Sequence, residues 1–178
     1  IAEASIIDVF SGERVWGGIR KGAVCTSTIE LNGSNVVLRV IKIDNIKNMN
    51  PDGTENESIG LAYLKDDYGS DGTWKQCSYN TLDGTHALGG TAFRGNFPGP
   101  GWSYDATNNI FHLPRPTDKD GDSCASWTMN TTTGVWSAPL SKPADPAKQD
   151  GVVQKVYQWD ESVYQGNNSL GWVLVDSQ

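Results

Sequence analysis

Three segments in the second half of the chain repeat one pattern, and that repeat most constrains the fold. The first runs Trp102-Ser103-Tyr104-Asp105, a polar stretch to Asn109, then Ile110-Phe111-His112-Leu113-Pro114. The second runs Trp127-Thr128-Met129-Asn130, a Thr-rich stretch to Gly134, then Val135-Trp136-Ser137-Ala138-Pro139. The third is Tyr157-Gln158-Trp159-Asp160, a longer insertion around Gln165–Ser169, then Gly171-Trp172-Val173-Leu174. Two large residues one apart sit on one face of a strand. The Asp or Asn that follows can bond its own backbone and open a turn, and Asn109 and Gly134 tolerate positive φ. The returning aromatic can pair across the hairpin, at the nine-residue spacing of Trp102 with Phe111 and Trp127 with Trp136, for ~0.2–1 kcal/mol. Proline then ends the strand by removing a donor, with Pro114/Pro116 and Pro139/Pro143/Pro146 as spacers. A lone hairpin is marginal in water, so the three must pack on each other or on another surface.

The first half reads differently. Residues 23–30 and 35–43 read as strands joined at Asn32-Gly33, the signature of a type I′ turn. Asn45–Gly53 reads as a polar loop. Thr54-Glu55-Asn56-Glu57 fits a capping box that opens a helix, with Ile59, Ala62 and Tyr63 as its apolar face and Gly69 as its stop. Thr73–Tyr79 reads as a further strand. The expected fold is therefore β-dominated α+β: an N-terminal ββαβ module with one short helix, then three aromatic β-hairpin repeats. Its divisions are an arm or early strand at 1–22, the module at 23–80, a Gly/Pro-rich connection at 81–101 and the repeats at 102–178. So long a connection inside a compact domain is usually functional or anchored. The arm carries apolar Ile6, Ile7, Val9, Phe10 and Trp16, which need burial in this chain or against a neighbour.

Composition excludes several function classes. The 178 residues are enough to bury roughly 70% of the unfolded surface without staples. A net charge of −7 and the lack of a basic stripe argue against nucleic acid. No apolar run approaches the ~18 residues of a membrane span, and no signal peptide opens the chain. It begins at Ile1 rather than Met, which implies a processed or partial product. Cys25, Cys77 and Cys124 form no CxxC pair, which argues against a zinc site or a disulfide framework and for buried thiols made in a reducing cytoplasm.

No catalytic, metal or cofactor residue is expected. His86 and His112 lack metal-ligand spacing or a nucleophile elbow. Asp118-Lys119-Asp120-Gly121-Asp122 lacks the Gly after the third acid and the terminal Glu of a calcium loop and reads as a solvated acidic turn, as does Gly69–Gly72 with Asp66, Asp67 and Asp71. The aromatic ladder has two readings. Trp102, Tyr104, Trp127, Trp136, Tyr157, Trp159 and Trp172 form core, or some of them form an exposed platform for glycan or for a neighbouring subunit.

The order of motifs carries a resemblance. A strand like Asn35–Asn45, an acidic turn at Asp52-Gly53, a helix like Glu57–Asp67 and Gly72-Thr73-Trp74-Lys75-Gln76-Cys77-Ser78-Tyr79-Asn80 come first. Phe93-Arg94-Gly95-Asn96-Phe97, the Tyr104-Asp105 hairpin, the Ser126-Trp127 hairpin and Tyr157-Gln158-Trp159-Asp160 follow. Over residues 23–175 this resembles small virion-associated structural proteins of marine and cyanobacterial tailed phages. Segments Leu82–Ala92, Thr117–Cys124 and Tyr164–Ser169 are longer than that pattern. The resemblance implies a capsid decoration or a tail or neck accessory, carried in the virion after assembly in the bacterial cytoplasm. Its implied partners are other phage structural proteins in a multimeric assembly, with a host-surface glycan as the alternative for a fibre or spike module.

Overall fold

The computed structural model describes residues 6–7, 14–15, 26–68, 72–148 and 154–177. Among them the chain is β-dominated, with two short α-helices and several small antiparallel sheets. Strands β1 (Ile6–Ile7) and β2 (Arg14–Val15) pair antiparallel. Val9, Phe10, Trp16 and Cys25 lie outside the described residues.

The largest sheet has three strands, β3 (Thr26–Leu31), β4 (Val37–Lys42) and β5 (Thr73–Ser78), ordered β4-β3-β5. Both ladders are antiparallel, with Ile29 opposite Val40 and Lys75. The turn at Asn32 is not type I′. Asn32 O accepts from Asn35 N, Asn32 N donates to Val36 O, and the positive φ falls on Asn35 at 58°. This is a three-residue loop, a type I turn closed by a left-handed residue. The Asn32 side chain selects it, because its Oδ1 accepts from both Ser34 N and Val36 N.

Between β4 and β5 lie a 3₁₀ turn at Asn45–Asn48, where the sequence reads as loop, and helix α1 (Glu57–Tyr68). The expected capping box does not form. Asn56 Oδ1 accepts from Ser58 N, the Thr54 hydroxyl donates to Asp52, and Glu57 turns away to β5. The buried face of α1 is Gly60 and Leu64, with Ile59 and Tyr63 half-buried and Ala62 exposed. The proposed stop at Gly69 lies outside the described residues.

The sheet buries both faces. Ile43 and Trp74 pack with Leu64 of α1. On the other face Ile29, Leu31, Val37 and Cys77 pack with Tyr104 and Phe111. Ile29, Leu64 and Phe111 are sealed from solvent, each worth roughly 1.5–3 kcal/mol.

The Gly/Pro-rich connection is anchored and holds a hairpin the sequence reading missed. Strands β6 (Thr81–Leu82) and β7 (Thr85–His86) pair across Asp83-Gly84, both at positive φ, 50° and 72°. Asn96 is 2% exposed. Its Oδ1 accepts from Asp83 N, and its Nδ2 donates to Phe111 O and Thr133 O. One amide thus ties the connection to two hairpins.

Those hairpins are β8 (Ser103–Asp105) with β9 (Ile110–His112), and β10 (Thr128–Met129) with β11 (Trp136–Ser137). Strands β12 (Lys155–Trp159) and β13 (Trp172–Asp176) form the last. The nine-residue aromatic pairs are not opposite each other. Phe111 faces Tyr104 and Trp136 faces Met129, because the ladders are two or three residues long and begin after Trp102 and Trp127. Only in the last hairpin do two indoles face, Trp159 and Trp172. Its turn insertion is a helix, α2 (Glu161–Gly166), capped by Asp160 Oδ1 accepting from Val163 N. Asn109 and Gly134 adopt the expected positive φ.

Candidate functional site: a tryptophan-walled groove

The seven aromatics do not form one platform. Tyr104 and Trp159 are buried core, whereas Tyr157 and Trp172 are half-buried near the last hairpin. Trp159 lies 5.2 Å from Trp172 and 6.0 Å from Trp127, centroid to centroid, and Trp127 lies 6.2 Å from Trp172. This indole triad is the core of the C-terminal region.

Trp102, Trp127 and Trp136 do come together, on the walls of a half-open groove of about 370 Å³. Backbone bonds set Trp102 beside β4: Val37 N donates to Trp102 O at 2.8 Å, and Trp102 N to Gly99 O. Trp136 is held by its Nε1, which donates to Leu113 O at 2.9 Å, and by the Arg115 guanidinium 4.4 Å from its ring centre. Arg115 also donates to Cys124 O, Ala125 O and Trp127 O, which fixes the loop carrying Trp127. Leu113, Pro114, Pro116 and Val135 supply the remaining apolar wall, and Asp83, Asn96 and Gly134 complete it. Leu113, 51% exposed, makes it an open surface.

The groove offers few polar groups. Asn96 and the Trp136 N–H are committed to backbone. Trp127 Nε1 is sealed and unpartnered. Trp102 Nε1 and the Asp83 carboxylate make no hydrogen bond or ion pair among the described residues.

Elsewhere, the charged groups that sequence reasoning missed act as braces. Arg94, at φ 54°, makes a bidentate pair with Glu57 at 2.6 and 2.9 Å, and donates to Gln76 O and Asn109 Oδ1. Burial pushes the Glu57 carboxyl up, but the Arg94 bonds and Gln76 N hold it below its usual value. Glu161, 8% exposed, accepts from Ser126 N, Ser126 Oγ, Trp159 Nε1 and Gln165 Nε2. These donors outweigh burial and lower its pKa. Asp118 accepts from Asp120 N, Asp122 N and Glu161 N, so the acidic turn is closed on itself and on α2. Among the described residues no group of three His, Cys, Asp or Glu is placed to hold a metal, and no helix is long and apolar enough to cross a membrane. Cys77 and Cys124 are buried free thiols, with Cys77 pushed up to about 12 by burial. His86 Nδ1 accepts from Leu88 N and Gly90 N, a local turn contact.

No protein family, curated protein or solved structure matches the chain.

Proposed function

We propose that this chain is a non-enzymatic structural or accessory protein of a tailed bacteriophage particle, a capsid decoration or a tail or neck component. It acts by protein–protein contacts with other virion proteins after assembly in the host cytoplasm. The observation that carries the non-enzymatic part is the use made of its acids. Among the described residues each carboxylate with a resolved shift moves down, held ionised by hydrogen bonds that close its own turn, as at Asp52 and Asp105, or brace one segment against another, as at Glu57, Asp145 and Glu161. General acid catalysis needs a carboxyl pushed the other way. The particle attribution draws on the motif order over residues 23–175, read as a ββαβ unit followed by three hairpin units, the third enlarged by α2.

A second reading, a carbohydrate- or receptor-binding module of a fibre or spike, draws on the three indoles that line the groove.

Quantitative mass spectrometry of gradient-purified particles tests the first reading. A fixed ratio of this chain to the major capsid protein across preparations is expected. Its absence from intact particles overturns the proposal.

A further inference from the structure

We propose that the tryptophan groove binds the Lys142–Lys148 strip of a second copy of this chain. The groove is lined mainly by apolar side chains, and two of its lining residues, Trp102 and Asp83, carry an indole N–H and a carboxylate without a hydrogen bond or ion pair among the described residues. Its complement is a ligand with apolar rings, carbonyl acceptors, few donors of its own and a cation at one end. An extended proline-containing segment has all four properties. A sugar brings hydroxyl groups around its whole ring, and this lining can satisfy few of them, which costs free energy for each one left unmet.

The chain carries such a segment. Lys142-Pro143-Ala144-Asp145-Pro146-Ala147-Lys148 is exposed throughout and is neither helix nor strand. Pro143 and Pro146 are three residues apart, the spacing that places two side chains on one edge when such a segment binds as a polyproline II helix. Lys142 pairs with Asp145 at 2.9 Å, while Lys148 makes no ion pair among the described residues and is the cation available to Asp83. The strip is tethered within itself at Asp145 Oδ1, which accepts from Tyr157 N, and just before it at Leu140 O, which accepts from Trp172 Nε1. Tethering lowers the ordering cost of binding. None of its residues lines the groove of its own chain. The contact therefore runs from one copy to the next, a head-to-tail interface that closes into a ring or extends as a filament. The inference does not rest on the particle reading.

Two measurements on the full chain test it. Sedimentation equilibrium is expected to show mass rising with concentration for the parent and a monomer for the Pro143→Ala/Pro146→Ala variant, whose changes are exposed. A synthetic peptide of residues 140–148 is then titrated, up to about 1 mM, into that variant, whose groove is intact. A saturable blue shift of indole emission is expected, weakened several-fold by Asp83→Asn, a change that Asn tolerates at positive φ. Parent and double variant sedimenting alike would overturn the proposal, as would a silent peptide. A neutral oligosaccharide that shifts the emission where the peptide does not would give the groove to glycan instead. Peptide binding by a chain absent from purified particles would leave this inference standing and remove the particle reading.

Discussion

The sheet-and-helix half and the hairpin half are held together by different physics. Strands β3, β4 and β5 are six residues each, long enough to bury aliphatic side chains on both faces. The hairpins of the first two repeats have ladders of two or three residues and cannot do the same. They use side chains that bond backbone instead: Asn96, Arg115 and Glu161. Where strands are short, polar side chains set the geometry, Asn96 and Glu161 from buried positions and Arg115 from an exposed one, and indoles fill the space. A fully satisfied polar tie of this kind rigidifies a core, and a broken one costs more than a lost apolar contact.

The largest expected effect falls where the halves meet. Arg94 reaches α1 through Glu57, β5 through Gln76 O and the first repeat through Asn109. Arg94→Met leaves the Glu57 carboxylate beside β5 without its partner, a loss of about 3–5 kcal/mol. Urea unfolding followed by tryptophan emission measures it. A loss under 1 kcal/mol would mean the halves do not depend on this pair.

Glu161→Gln comes next and strikes the hairpin half alone. The new amide nitrogen must face one of four donors, so a loss of about 2–3 kcal/mol is expected. The pH dependence sharpens the test. Glu57 and Glu161 both have lowered pKa values in the folded state. Their contribution is therefore present above the unfolded value of about 4.3 and lost as pH falls through the lowered folded values. The variant should lose less stability than the parent between neutral pH and that acid range, since Gln does not titrate. Equal losses in the two proteins would remove Glu161 from the account.

Packing in the indole triad is the third test. A Cβ at Gly171 would sit 2.5 Å from the Trp159 ring. Trp159 cannot yield while Trp127 and Trp172 hold it. Gly171→Ala should cost about 1–3 kcal/mol, with the near-ultraviolet circular dichroism of the indoles altered and the far-ultraviolet spectrum kept.

These sites also show what was legible in the chain. Strands β4 and β5 and the left-handed positions Asn109 and Gly134 follow from local chemistry, and local chemistry is visible in sequence. The role of Glu57 is not local. Its partner lies 37 residues away, and the nearby Thr54 imitates a capping box well enough to hide it. The groove is hidden for the same reason. Trp102, Trp127 and Trp136 are recognisable as aromatics of a repeat, but the segments that bring them to one groove are held by long-range bonds of Asn96 and Arg115 to backbone, which no local pattern announces.

The smallest effects separate two turns that look alike in sequence. Asn32-Gly33 and Asp83-Gly84 are dipeptides of the same kind; the sequence marks only the first as a type I′ turn, and only the second is one. Gly84 is at φ 72°, and a Cβ there would meet Thr133 Cγ2 at 2.8 Å. Gly84→Ala should therefore cost about 1–2 kcal/mol. Gly33 has no positive φ, and nothing lies within 4 Å of a Cβ built on it. The Asn32 side chain has already chosen the longer loop by bonding Ser34 N and Val36 N. Gly33→Ala should then stabilise by about 0.4–1 kcal/mol, because the substitution restricts the unfolded chain and strains nothing in the folded one. A rise in the urea midpoint at constant slope is the expected reading. A fall would mean that Gly33 needs the left-handed conformation after all, and that the short turn written in the sequence is the one the chain uses.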